Sequence, residues 1–344
     1  ASTMMMLPVA MAVVRQIAID ASLNGEKNPD SQKTIENGLG LVLMLGLAYS
    51  ASIGGVGTLI GTPPNIVFAG FYKNLFPDNP EISFFQWMML AVPIVIVFIP
   101  LVWVYLCRFV SPVPLKNISA GSHEIIQQEL DDLGSMNHAE KIVAGVFCLT
   151  AFLWIFRKPI LMGEFVIPGW SGLFAHPKYL HDSTVAMAMG VLLLIFPVNG
   201  IKGLDLHGKR EYFALDWNTV QSKVPWGILI LFGGGFALAS GFGASGLDKW
   251  IGDKLTGVAG WPLWLMVLVV CLSVTFLTEL TSNTAPTTMI LPILGLSAVA
   301  VNIHPLLFMV PATLAASFAF MLPVATPPNA IVFGSGWVGV PQMS

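Results

Sequence analysis

Thr62-Pro63-Pro64-Asn65 and Thr326-Pro327-Pro328-Asn329 are the same four residues, each set inside an apolar stretch long enough to cross a membrane. Proline has no amide hydrogen and its ring clashes with the preceding turn, so two in succession must interrupt a spanning helix. Matched interruptions in two halves of an apolar chain are the best sequence pointer to a carrier's binding site. The pair belongs to a longer repeat: Leu7-Pro8 precedes one copy and Leu291-Pro292 the other, and the run from Ala1 aligns without gaps on the run from Ala285. Ser282-Asn283-Thr284 lies just ahead of Ala285, and its counterpart would precede Ala1. The sequence is therefore expected to begin just past half of its own binding site.

Composition agrees with a membrane protein: 55% of the residues are hydrophobic and 10% charged, with 33 glycines and 24 prolines. Mean hydropathy is +0.76. The net charge of −3 includes no basic block of the kind that tracks nucleic acid, which is excluded as a partner. Cys107, Cys148 and Cys271 stand singly in apolar runs with no CxxC pair, and read as small buried packing residues. The first residues lack a basic leader and continue into the repeat, so they are not a signal peptide.

About 20 apolar residues cross the hydrocarbon of a bilayer. Full-length runs occupy Gly38 to Tyr72, Phe84 to Phe109, Lys141 to Phe156, Ser183 to Val198 and Trp226 to Gly246, giving five crossings. The first carries its own break, from Gly54-Gly55-Val56-Gly57 through Gly61 to Pro64. Trp261 to Val301 is too long for one simple span and is split by Thr278-Glu279-Leu280-Thr281-Ser282-Asn283-Thr284, so it reads as a re-entrant hairpin. Polar backbone at that depth is tolerated only where it is buried in protein or lines a cavity. Pro305 to Gly336 reads as a second broken span, its break at Met321 to Ala325, and Ala1 to Arg15 as the return arm of a first hairpin.

An odd number of crossings between the hairpins puts them on opposite faces of the bilayer, so the repeats are expected to be inverted. The loops from Gln16, Val110 and Asn199, with their flanks, carry ten basic residues (Arg15, Lys27, Lys33, Arg108, Lys116, Lys141, Lys202, Lys209, Arg210 and Lys223) against six on the other face. The positive-inside rule makes the first set cytoplasmic.

At Thr62 and Thr326 irregular backbone passes into a half-helix, with threonine as N-cap and proline at the first helical position. A helix N-terminus with free amides is an anion seat, and Ser282-Asn283-Thr284 repeats this logic ahead of Pro286. Sodium, a hard cation, favours oxygen ligands. Thr278, Ser282, Asn283 and the unwound carbonyl of Ala325 could supply one cage, with Gly61 the matching carbonyl in the other half. Gly38 to Tyr72 contains no charged residue and Trp261 to Ser344 only Glu279. With no lysine or arginine waiting for it, a polyanion must be balanced by helix termini and bound cations, which couples anion entry to sodium.

These residues resemble the divalent anion/sodium symporters, a family that includes sodium-coupled dicarboxylate, citrate and sulfate transporters. The matches are the tip Ser282-Asn283-Thr284, the two Thr-Pro-Pro-Asn breaks and Leu231-Phe232-Gly233-Gly234-Gly235, and the likeness covers nearly the whole chain. It implies an all-α polytopic protein of the plasma or inner membrane, with inverted repeats, re-entrant helical hairpins and two broken transmembrane helices. It also implies an elevator-type homodimer, in which a transport domain moves against a scaffold. By that resemblance Ser282, Asn283, Thr284, Thr62, Pro63, Thr326 and Pro327 line the substrate. Thr278, Thr281, Asn283 and Ala325 form one sodium site, and Gly61 contributes to the other.

The implied organisation is 1–72 transport domain, 73–139 scaffold or connector, 140–223 second-repeat scaffold helices and 224–344 transport domain. By the same resemblance, the family's N-terminal part, with a first Ser-Asn-Thr motif, and its last helix are expected to lie outside this sequence. The implied activity is sodium-coupled symport of di- or tricarboxylates, with C4-dicarboxylates such as succinate foremost. Sodium is then the co-transported ion, no organic cofactor takes part, and the partners are a small anion, sodium, the lipid bilayer and a second copy. A sodium-independent anion exchanger or a sulfate transporter of the same fold is the alternative.

Each motif also has a plainer reading. One Thr-Pro-Pro-Asn would be an ordinary loop before a helix; two in register within an apolar repeat are not. Ser282-Asn283-Thr284 alone could be a simple turn. Glu279 reads as a structural residue that holds the hairpin tip through hydrogen bonds. Gly233 to Gly235 reads as a close-packing surface. Gly241 to Gly246 fits GxGxxG, which has meaning only between a strand and a helix. Within it Gly243-Ala244-Ser245-Gly246 resembles the motif of intramembrane serine proteases, whose histidine base could come only from His304, in a loop. The expected protein is not an enzyme.

Overall fold

The computed structural model describes residues 2–23, 29–110, 127, 131, 134–162, 165–198, 213–224, 226–246, 250 and 261–344. Lys27, Lys116, Lys202, Lys209, Arg210, Lys249 and Lys254, which bear on the expected orientation, lie outside them. The chain divides into two compact units: Ala1–Glu81, Met88–Asp132 and Leu229–Ser344 form one, and Ile82–Trp87 with Leu133–Ile228 the other.

The larger unit is helical. Helix α1 (Ser2–Leu23) runs eight residues beyond the expected Arg15, because nothing from Gln16 to Leu23 is a glycine or proline. Helix α2 (Pro29–Val56) begins well before the apolar run, with Pro29 in the first helical position where its missing amide hydrogen costs nothing. After a break, α3 spans Pro63–Leu75. Helix α4 (Phe84–Tyr105), which belongs to this unit from Met88 onward, widens into a π-turn over Leu106–Val110. Helices α2 from Asn37 and α4 with its π-turn are long and apolar enough to cross a membrane. The exposed Ile96, Leu101 and Trp103 of α4 cost nothing against lipid tails, where close van der Waals packing holds helices together.

Helices α9 (Leu263–Leu280) and α10 (Thr284–Ala300) are joined at Thr281 to Asn283, where the sequence placed the tip of a re-entrant hairpin, and α9 alone has the length and apolarity to span. Helix α11 (Leu306–Ala316) and α12 (Pro327–Phe333) flank the second break, and α13 (Val340–Met343) follows. That break opens at Ser317 and runs to Thr326, where the sequence placed it at Met321 to Ala325.

The packing is reciprocal between the repeats. Helix α10 lies against α3 and α1 against α12, so the helix expected as the return arm of each repeat meets the half-helix that follows the other Thr-Pro-Pro-Asn. Likewise α3 touches α11 and α12 touches α2. Met44, Leu45, Ala48 and Tyr49 of α2 form a buried cluster with Val332, Val338 and Met343. Gly40 belongs to this contact, since a Cβ there would stand 2.7 Å from the Trp337 ring.

The smaller unit holds α5 (His138–Ile155), opened by a capping box between Asn137 and Glu140, and α6 (Asp182–Ile195), which packs on it. Fourteen residues give α6 a length of about 21 Å, short of a hydrocarbon core of about 30 Å. The full crossing expected over Ser183 to Val198 is therefore not a single helix: the chain leaves α6 at Phe196, and Pro197 pairs with Phe213 in an extended bridge. Between the helices, strands β1 (Ile160–Met162) and β2 (Phe165–Ile167) form an antiparallel hairpin, a small correction to an all-α expectation. Buried Arg157 ties this segment down, with Nε 2.5 Å from Asp182 Oδ1 and Nη1 donating to the Leu180 carbonyl at 2.7 Å. Helix α7 (Trp217–Lys223) is capped by Asp216.

Helix α8 (Gly227–Ser245) contains the GxGxxG run, and Gly246 closes it with φ 73°, the left-handed conformation that ends helices. The motif lies at the end of this helix and not between a strand and a helix, which removes the dinucleotide reading. Cys148 is exposed on α5, so the expectation of three buried cysteines holds only in part: Cys107 and Cys271 are half-buried.

Candidate functional site

The polar residues of the larger unit gather where its helices break. Leaving α2, the backbone folds back so tightly that a Cβ on Gly61 would lie 2.2 Å from the Gly55 carbonyl oxygen and 2.8 Å from Thr58 Oγ1. Only glycine fits there. Thr62 caps α3 with an extended backbone but makes no side-chain cap bond. Its Oγ1 instead lies 3.5 Å from Ser317 Oγ, which brings the two breaks together.

Thr326 differs. Its hydroxyl accepts the Asn329 N–H at 3.3 Å, and the residue is buried. The sequence reading counted free amides at both half-helix starts as an anion seat. The structure corrects this. Pro63, Pro64, Pro327 and Pro328 have no N–H to offer, the Asn65 N–H goes to the Thr62 carbonyl, and that of Asn329 goes to Thr326. Helix α12 is also only seven residues long. What remains at these starts is the N-cap peptide and a partial dipole.

Open donors lie instead at the hairpin tip. Pro286 has no N–H and the Ala285 N–H turns back to the Ser282 carbonyl, while the amides of Asn283 and Thr284 find no acceptor among the described residues. The Asn283 Oδ1 is buried with no partner. Ser282 and Thr281 are exposed, and the Thr281 hydroxyl is turned back to Leu277. Among the described residues no hydrogen bond joins the tip to Thr62 or Thr326. The tip's connection runs through α10, which packs beside α3.

Glu279 was expected to brace the hairpin tip. It does hold backbone, but that of the second break: Oε1 accepts the Phe320 N–H at 2.7 Å, and Oε2 accepts those of Met321 at 3.0 Å and Leu322 at 3.1 Å. Three amides around one carboxylate make the charge tolerable in a residue 4% exposed. The Tyr49 hydroxyl donates to the Phe320 carbonyl from the other side. Glu279 thus links Thr278 to the segment that leads to Ala325, two of the candidate sodium ligands. The Thr278 hydroxyl proton is used on the Thr275 carbonyl at 2.9 Å, which leaves its oxygen lone pairs for a cation.

Sequence reasoning gave no separate role to Asn65 and Asn329, the last residues of the two tetrapeptides. Both are fully buried, and each donates from Nδ2 to the unwound backbone before it. The signal was present in the repeat itself, at the third position of each half-helix. Of the glycine run, Gly235 alone is a tight contact, its Cβ position 3.0 Å from Phe71 and 3.1 Å from Thr288, while Gly233 and Gly234 are open. His304 caps the start of α11 by accepting the Leu306 N–H on Nδ1. An apolar cavity of about 540 Å³, lined by Val9, Val13, Leu43, Val102 and Leu106 among others, contains none of the candidate residues.

Apolar helices long enough to cross a membrane, two of them followed by breaks, define a polytopic membrane protein. The chain belongs to the sodium:sulfate symporter family, whose transmembrane region matches residues 1–344. It is 43% identical over 344 residues to a protein of Staphylococcus saprophyticus named sodium-dependent dicarboxylate transporter SdcS. It is 42% identical over the same length to the protein of that name from Staphylococcus aureus strain NCTC 8325. All of this chain is covered in both comparisons, and the chain spans 61% of the length of each relative. The family is one of membrane transporters, not of enzymes.

Proposed function

We propose that this protein carries C4-dicarboxylates such as succinate across the membrane together with sodium. The observation that supports the reading is an imbalance at the polar centre. Asn65, Asn283 and Asn329 each hold a buried carbonyl oxygen with no donor, and the hairpin tip holds amides with no acceptor. The one carboxylate of the region, Glu279, is already committed to backbone. Such a centre is incomplete until a cation meets its oxygens and an anion meets its amides, and it has no lysine or arginine to neutralise a dianion.

In this reading the substrate lies against Ser282, Asn283 and Thr284, with the peptides of Thr62-Pro63 and Thr326-Pro327 closing the seat. One sodium lies among Thr278, Thr281, Asn283 and the Ala325 carbonyl, and another at the Gly61 carbonyl. The reciprocal packing of return arms and half-helices supports inverted repeats. With them go an elevator-type movement and a homodimer.

Thermal unfolding of the purified full-length protein with succinate, malate, citrate and sulfate, with and without sodium, tests the reading. Sodium should raise the midpoint, and succinate should raise it further only when sodium is present. Stabilisation by sulfate alone among the anions would replace the substrate class, and stabilisation by succinate without sodium would remove the coupling.

A further inference from the structure

Asn65 and Asn329 occupy matching places, each the third residue of a half-helix behind its threonine cap. Asn65 Nδ2 donates to the Val56 carbonyl at 3.2 Å and the Thr58 carbonyl at 2.8 Å. Asn329 Nδ2 donates to the Ala319 carbonyl at 3.2 Å and the Leu322 carbonyl at 3.1 Å. The acceptors lie in, or at the entrance to, the unwound segment that leads to each cap. An amide nitrogen has two protons, and both are used in each case. The carboxamide cannot be turned over, because its oxygen would then face two carbonyl oxygens.

The orientation so fixed leaves Oδ1 of each residue buried without a partner, in side chains that are 0% exposed. Buried acceptors are nearly always satisfied, and one left open asks what fills it. The same unpartnered oxygen at matching positions of the two Thr-Pro-Pro-Asn copies ties it to what the copies share, the candidate seats at Gly61 and Ala325. We propose that Asn65 and Asn329 are a pair of positioning residues for sodium. Each Nδ2 staples the unwound segment to its half-helix, so that the carbonyls of Gly61 and Ala325 keep their aim. Occupation of the seat supplies the electropositive partner that each Oδ1 lacks, whether the ion or a water that it orients. Glu279 reinforces the second staple by holding the amides of the same turn whose carbonyls Asn329 takes.

The proposal rests on the sodium-coupled reading above. In the full-length protein, reconstituted in liposomes, Asn65→Leu and Asn329→Leu keep the side chain's shape and remove both its donors and its acceptor. Each should raise the sodium concentration for half-maximal succinate uptake by roughly ten-fold or more, the scale of losing one buried polar contact. The succinate KM at saturating sodium should move much less. A change confined to yield or maximal rate, with the sodium curve unmoved, would mean a merely structural role and overturn the proposal.

Hydrogen exchange of the unaltered protein gives a reading that needs no variant to fold. Replacing choline by sodium should slow exchange at both breaks, 57–62 and 317–326, and a break that shows no sodium response overturns the proposal for its repeat. Unaltered protein without any sodium response would count against the functional reading itself. A wild-type sodium response with unshifted variants would count against the asparagines alone.

Discussion

Replacing Glu279 with glutamine tests the brace between the hairpin and the second break. The carboxylate accepts three N–H groups, from Phe320 on one oxygen and from Met321 and Leu322 on the other. A glutamine can turn its oxygen toward Met321 and Leu322 and keep two bonds, now neutral. Its Nε2 then meets the Phe320 N–H, donor against donor. A hydrogen bond to a charged group contributes about 1.5–3 kcal/mol and a stranded buried donor costs about 1–3 kcal/mol. The variant should therefore lose about 3 kcal/mol locally, and Glu279→Ala, which strands all three donors, should lose more.

Ala325 lies in the same break, so the disturbance should appear in sodium binding as well as stability. Thermal unfolding in detergent, with a sodium titration of uptake, should rank wild type above glutamine and glutamine above alanine in both readouts. A glutamine variant with wild-type midpoint and wild-type sodium dependence would refute the brace.

Gly61→Ala drives a methyl into the Gly55 carbonyl and Thr58 Oγ1, so uptake should collapse, whereas Gly54→Ala, with nothing near its Cβ position, should leave uptake unchanged. Thr326→Val removes a cap bond and should cost about 1 kcal/mol in unfolding experiments, while Thr62→Val, which removes no cap, should cost less. The Asp216 carboxyl is held below its usual pKa, first by the Thr219 hydroxyl and then by the Thr219 amide. A depressed carboxylate stabilises above its unfolded pKa and loses that contribution as pH falls through the folded value. Protection of the amides at the start of α7, relative to their intrinsic exchange rate at each pH, should therefore fall on acidification below the ordinary aspartate range, and Asp216→Ala should show low protection at every pH.

The breaks were legible because proline acts locally, and two prolines end a helix whatever surrounds them. The onset of the second break was not, since Ser317-Phe318-Ala319-Phe320 continues an apolar helical pattern. What unwinds it is the Glu279 carboxylate some 41 residues away and the Asn329 amide, which together take its N–H and carbonyl groups. Thr326 was legible as a cap. Thr62 looked identical in sequence yet turns to Ser317, a difference set by packing between the repeats. An ordinary helix start offers amides to an anion, whereas a Pro-Pro start has none at its first two positions. The hairpin tip, where only Pro286 intervenes, keeps them. The role of Asn65 and Asn329 is not legible in the motif, because their partners lie seven to ten residues back, beyond any local rule.

Uptake of radiolabelled succinate into liposomes containing the full-length protein tests the central claim most directly. An inward sodium gradient should drive saturable accumulation above equilibrium, which disappears when sodium is equal on both sides or replaced by choline. Accumulation indifferent to the sodium gradient, or a flux that rises linearly without saturating, would contradict coupled transport.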